Sequence, residues 1–209
     1  MTSSRGCSAS LIVIALTGLC ATAVNGAEIH AAHADHQGRR YSVRVDAQVS
    51  ASQPDVRRLL TDYNHLGRLN PSIKTSEILL QRTPRDLRVR TVTKVCVWVF
   101  CKRLLQVQDV TESDDGALTA VVIPELSDFR YGYARVRVWP EPAGTRVLLS
   151  GELEPDFWIP PFIGPWMIKR KLLDEALLTI GNLERVAPLP ALPHNSAPSD
   201  EPTSADRPP

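Results

Sequence analysis

Apolar and polar positions alternate most cleanly in "YSVRVDAQVS". Tyr41, Val43, Val45, Ala47 and Val49 share one face, while Ser42, Arg44, Asp46, Gln48 and Ser50 share the other. A period of two residues predicts a half-buried β-strand. "SQPDVRRLLTDY" follows with a helical period. Ser52 and Asp55, three residues apart, form a variant of the capping box; Pro54 falls in the first turn, and Val56, Leu59 and Leu60 supply the apolar side. This short helix ends before "NHLGRLNP", where Asn64, Gly67, Asn70 and Pro71 break regular structure.

Strand-like runs come next: Ile73–Gln81, Leu87–Trp98, Lys102–Glu112, Leu118–Pro124, Phe129–Pro140 and Thr145–Leu153, punctuated by "TPRD", "SDDG" and "EPAG". Short links favour an antiparallel meander. From about Pro165 to Val186, Ile168, Leu172, Ala176, Ile180, Leu183 and Ala187 recur at helical spacing. The pattern predicts an α+β fold of the helix-grip type. A curved antiparallel sheet of about seven strands wraps a long C-terminal helix, with a short helical segment after the first strand and room for a cavity between sheet and helix. A closed lipocalin-like barrel is the alternative; the early helix and the apolar character of the last one argue against it.

The ends read differently. Arg5 is the only charge before the apolar run Leu11–Val24, and small residues follow at Ala21, Ala23, Gly26 and Ala27. The run is short for a membrane span and has the plan of a secretory signal peptide. Residues 1–27 are therefore expected to be removed, with cleavage after Ala27 or Ala23; an uncleaved anchor is the other reading. Residues 28–39 read as a flexible leader, 40–187 as the folded domain, and 188–209, rich in Pro, Ser and Asp, as a disordered tail. The expected location is outside the cytoplasm, in a periplasm.

Charge narrows the field. The 24 Lys and Arg balance 23 Asp and Glu, and the two signs are mixed along the chain, so the clustered basic surface of a nucleic-acid binder is missing. Cys96 and Cys101 are the cysteines left once the signal is removed, and an oxidising compartment favours their pairing. A turn within the intervening "VWVF" would bring them together and pin a hairpin end. One uninterrupted strand would instead point them to opposite faces, because their separation is odd.

The strand, the stretch "ASQPDVRRLLTDYNHLGRLNPSIKTSEIL", the central "LLQVQDV" and the tail "LEPDFWIPPFIGPWMIKRKLLDEALLTIGNLERVA" together resemble the START-like helix-grip superfamily, also called SRPBCC. Within it the chain is most similar to the polyketide cyclase/dehydrase or coenzyme Q-binding branch. The resemblance spans residues 40–187 and implies a hydrophobic ligand, such as a lipid, quinone or polyketide-like compound, held under the last helix. It does not choose among a carrier, a cyclase or aromatase, and an interaction module with a collapsed cavity.

Candidate chemistry is sparse. His65 is the one histidine of the expected domain and the weak candidate for a catalytic base, partnered by Tyr131 or Arg135. Tyr131, Tyr133, Arg135 and Arg137 share one side of a strand. If that side faces the cavity the row orients a polar head; if it faces water it is ordinary sheet surface. Cavity liners are expected at Val45, Val122, Val136, Leu149, Ile168 and Leu172. His30 is the weak metal candidate, as the third residue of a chain beginning at Glu28, a pattern suited to Cu(II). No cofactor is expected.

The segment "EPDFWIPPFIGPWMIKRK" places Phe157, Trp158, Phe162 and Trp166 on a proline-stiffened connection. Either the rings plug the end of the core, or Trp158, Phe162 and Trp166 form a cavity rim. With Lys169, Arg170 and Lys171 behind them, such a rim would touch a membrane surface transiently.

Overall fold

The structure is a computed structural model that describes residues 26–97, 100–159 and 164–187. Strands β1 (Glu28–Gln37) and β2 (Arg40–Val49) open it, followed by helix α1 (Gln53–Leu60). Then come β3 (Ile73–Thr83), β4 (Asp86–Val97), β5 (Phe100–Glu112), β6 (Leu118–Val122), β7 (Phe129–Glu141) and β8 (Gly144–Pro155); helix α2 (Gly164–Val186) closes the fold. The eight described strands form one antiparallel sheet in the order β1-β2-β8-β7-β6-β5-β4-β3. The meander β3–β8 is therefore sealed by the opening hairpin, with Val45 opposite Leu149 across the β2–β8 pair. This is the helix-grip architecture.

Register decides which side chains meet the helices, because directly opposed residues share a face. Val45, Leu149, Val136 and Leu118 form one such row across β2, β8, β7 and β6. Ala47, Val147 and Val138 form the next. Val43, Val45, Ala47, Val49, Val56 and Val147 are buried together with Ala176, Ile180, Leu183 and Ala187 of the α2 side. A second, smaller cluster of Tyr63, Leu87, Val89 and Val110 closes the far end. Two buried polar side chains pin α2. Asn182 Nδ2 donates to the Leu69 carbonyl at 2.9 Å, and Glu184 Oε2 accepts the Ser50 N–H at 2.7 Å.

Local signals explain the short elements. Ser52 caps α1, its Oγ accepting the Asp55 N–H at 3.3 Å while donating to the Asp55 carboxylate at 2.6 Å. Gly144 turns β7 into β8 with φ of 134°, and an added Cβ would lie 2.1 Å from the Val49 carbonyl oxygen. Cys96 and Cys101 face each other across β4 and β5 and are disulfide-bonded, so the hairpin arrangement holds and the single long strand does not.

One expectation is overturned. Residues 28–37, taken from the sequence as flexible leader, are β1, paired with β2 along its length. The short helix therefore follows the second strand, and the sheet has eight strands rather than about seven. β1 is an exposed edge held mainly by ladder hydrogen bonds, so the sequence signature of burial is weak there. The apolar run Leu11–Val24, Phe162 and the tail from Pro188 lie outside the described residues.

Ile180 is fully buried between α2 and the sheet. Ile180→Ala should lower the unfolding free energy by about 2–5 kcal/mol, read from the urea midpoint at unchanged m-value.

Candidate functional site

β2 lies directly under the C-terminal half of α2, where packing is solid. Farther along the curved sheet the two layers part. A cavity of about 240 Å³ opens there, bounded on the helix side by Leu172, Glu175, Ala176 and Thr179. Val122, Val136, Leu149 and Leu153 supply apolar wall from the sheet, and Gln106 and Gln108 add amides. Gly132 belongs to the same wall because nothing larger fits: a Cβ there would come within 2.3 Å of a Val122 methyl. A larger hollow of about 600 Å³ lies outside this layer, between the β1–β2 turn and the proline segment. Its walls carry Arg39, Arg130 and Asp156 at the charged side and Tyr41, Pro155, Phe157, Trp158 and Ile159 at the apolar side, and apolar surface predominates there.

The expected liners separate accordingly. Val122, Val136, Leu149 and Leu172 do line the cavity. Val45 does not; it is sealed in the packed core beneath α2. Ile168 is half-buried on the first turns of α2 and is not in the wall. The Tyr–Arg row takes the outer face, because Ala134 and Val136 are the β7 residues in phase with Gly151 and Leu149 of the inner row. Tyr133 touches the cavity wall beside Gly132, but it pairs with exposed Val121 on the outside. Tyr131 stacks under the Arg40 guanidinium, 4.2 Å from the ring centre, and Arg135 pairs with Asp115 at 3.3 Å.

Neither histidine candidate enters the cavity. His65 is exposed after α1, with Nδ1 2.7 Å from Asp62 Oδ1. His30 stands on β1 at the bulge between Ile29 and Ala31, 3.8 Å from the Glu28 carboxylate. Among the described residues no group of three or more His, Cys, Asp or Glu could hold a metal ion.

Three titratable residues border the cavity, Tyr133 and Glu152 from the sheet and Glu175 from the helix. Glu175 Oε1 accepts from Lys171 Nζ at 2.5 Å and from Ser72 Oγ at 2.8 Å. Burial on its own would raise this carboxyl, but hydrogen bonds from Lys171, Ser72 and Asn70 outweigh it and hold the group below its ordinary range. In the sequence Glu175 looks like one more charge near the helix start. Its spacing is informative all the same: 168, 172, 175 and 179 follow one helical stripe. Gln106 and Gln108 are hidden in the sequence because Leu105 and Val107 look like the inward residues of β5. In fact the glutamines are in phase with Val110, which packs inward.

Comparison with known proteins places the chain. Residues 40–177 match the family described as polyketide cyclase / dehydrase and lipid transport. No curated protein sequence matches. Among solved structures, TTHA0849 of Thermus thermophilus is 22% identical, with TM-score 0.58 over 69% of this chain and 94% of that one. The Zhui aromatase/cyclase of Streptomyces sp. R1128 is 12% identical, with TM-score 0.59 over 70% and 93%. A STAR-related lipid transfer protein of Xanthomonas axonopodis is 15% identical, with TM-score 0.54 over 73% and 98%. At these identities the likeness is one of fold.

A carboxyl depressed in the folded state stabilises fully above its unfolded pKa and loses that contribution as pH falls through the folded one. Urea midpoints measured from pH 7 downward should fall more steeply below about pH 4.5 in the wild type than in Glu175→Gln.

Proposed function

The chain belongs to the polyketide cyclase/dehydrase and lipid transport family, and from that premise we propose that it binds and carries a hydrophobic small molecule, a lipid, quinone or polyketide-like compound, between α2 and the sheet. The observation that carries this reading is the cavity itself. Val122, Val136, Leu149, Leu153, Leu172 and Ala176 give it a largely apolar wall between the two layers of the fold. Burying ligand surface there contributes about 25 cal/mol per Å² before the ordering costs of association. A space of about 240 Å³ supports this reading over an interaction module with a collapsed cavity.

The carrier is an exported one, on the strength of the apolar run Leu11–Val24 and its small-residue exit. The Cys96–Cys101 disulfide fits an oxidising compartment. Among the described residues no helix is long and apolar enough to cross a membrane.

Loading and release take place at a membrane surface. Trp158 is 79% exposed and Trp166 62%, beside the cavity-bearing end of α2. Arg170 stands over the Trp166 ring, 5.7 Å from its centre. Lys169 and Lys171 are drawn toward Asp35 and Glu175. The contact therefore leans on amphipathic rings and one guanidinium more than on a free basic cluster. A cyclase working in the same cavity needs an acid or base in its wall. His65, Tyr131 and Arg135, the groups expected for that role, stand elsewhere, and the helix-side carboxyl of the wall, Glu175, is held ionised by Lys171 and Ser72.

Native mass spectrometry of protein purified from its own compartment should show a co-purifying lipophile. Val136→Phe, which fills the cavity, should lose it at least tenfold while remaining folded; a consistently empty wild type would sink the reading. Replacing Trp158 and Trp166 together by Ala should weaken binding to phosphatidylglycerol-containing vesicles on the order of tenfold in sedimentation, with ligand affinity changed less than about twofold.

A further inference from the structure

A third hollow, of about 280 Å³, lies where the end of α1, the β3–β4 turn and the end of β5 meet. Among the described residues it shares no wall with the cavity under α2. Buried Tyr63, Leu87 and Val110 form its inner wall, and Gln81 and Arg85 stand exposed at its mouth.

A break in the strand brings Gln81 there. Ile78 pairs with buried Val89, so a regular β3 would turn Leu80 inward next and Gln81 outward. The register shifts between Ile78 and Leu80 instead. Leu80 falls opposite Arg88, and Gln81 falls opposite buried Leu87. Leu79 and Leu80 are left exposed. Bulges of this sort re-aim side chains beside functional sites, and this one sets an amide at the hollow at the expense of two leucines.

Two further polar groups of the wall are unpartnered among the described residues. Tyr63 is only 8% exposed, yet its hydroxyl makes no hydrogen bond. Burial, and after it the Glu112 carboxylate, push this phenol up to about 12, so it stays a neutral O–H donor at working pH. Glu112 Oε1 accepts from Arg57 at 2.5 Å, while Oε2 has no donor. Neither atom is sealed off. The fully buried side-chain atoms without a partner are Arg135 Nε, Glu175 Oε2 and Glu184 Oε1, so the Tyr63 hydroxyl and Glu112 Oε2 keep accessible surface.

The charges here are already matched. Arg57 balances Glu112, and Arg85 pairs with Asp114 at 3.1 Å. What is free is a donor at Tyr63, an acceptor at Glu112 and one of each at Gln81. We propose that this hollow is a second binding site, for a small neutral carboxamide whose C=O accepts from the Tyr63 hydroxyl, whose N–H groups donate to Glu112 Oε2 and Gln81 Oε1, and whose apolar body lies against Leu87 and Val110. A ketone of the same shape leaves the two acceptors unpaired, and a carboxylate meets Glu112 with like charge, so both are discriminated against. The site does not depend on the carrier reading.

The test uses the full chain and three probes of one size, benzamide, acetophenone and benzoate, titrated near neutral pH by two-dimensional NMR through the backbone amides of residues 81 and 112. Wild type should bind benzamide at least about tenfold tighter than either of the others. Tyr63→Phe, which keeps the ring in the core, should weaken benzamide about tenfold. Should that variant fail to fold, Gln81→Ala at its exposed position should weaken benzamide severalfold and change acetophenone less than about twofold. Equal binding of the three probes by the wild type overturns the inference. So do no binding of benzamide up to its solubility, shifts confined to the cavity residues Leu172 and Ala176, and a benzamide affinity unchanged in the folded variants. Each of these outcomes leaves the carrier reading standing, because the lipophile in the other cavity is measured separately.

Discussion

One helix has to cover a sheet that curves away from it, and it is held at one end. Ile180 and Leu183 are fully buried against β2 and β8, and each is worth about 1.5–3 kcal/mol relative to exposure. Asn182 and Glu184 fix the same turns to the chain before β3 and before α1 through main-chain hydrogen bonds. A side-chain amide or carboxylate reaching one particular backbone group sets rotation and register in a way that apolar contact does not. With its last turns pinned over β2, α2 cannot also lie against β5 and β6. The space between layers is the geometric remainder of that choice.

The remainder stays open because the sheet wall is trimmed rather than padded. Val122 presses toward Gly132, and Gly151 stands opposite Ala134 in the next row. Larger side chains at the glycines would press on Val122 and Val43 of the same wall. Small residues in a strand weaken it locally, a cost that a protein selected only for stability would avoid by filling the space. Here the same face carries Val45 and Val147 in the solid half and Gly132 and Ala134 in the open half, so the contrast lies within one face of the sheet.

Most of the architecture was legible because burial leaves a period. β2 alternates, α1 has its cap and apolar side, and α2 repeats at 176, 180, 183 and 187. β1 left no such mark. His33, Asp35 and His36 sit on an edge where pairing runs through the main chain, and small Ala27 and Ala34 make its contacts with the core. The cavity was less legible still. Val45 and Val122 occur in similar apolar runs, yet one is core and the other is wall, because position relative to α2 decides and no local pattern encodes it. The Tyr–Arg row shows the limit of alternation: it tells which residues share a face, not which face is inside. Gln106 and Gln108 show the reverse error, since Val107 is buried on the outer side by the segment around Ser127, whose hydroxyl accepts the Val107 N–H.

The same fold serves an aromatase/cyclase and a lipid transfer protein at 12% and 15% identity to this chain, so what a member does has to be argued from the groups inside its cavity. Proton transfer calls for a side chain that can change charge near the working pH. Glu175 is arranged the other way. Lys171 and Ser72 hold it ionised, and its ordinary range lies below neutrality even before they act. Such a group is a fixed acceptor that keeps its charge. Gln106 and Gln108 on the facing wall do not titrate. The wall is largely apolar, and Asn70, Gln106, Gln108 and Glu175 set fixed polar points into it, the arrangement by which a pocket holds an apolar body and orients its polar end.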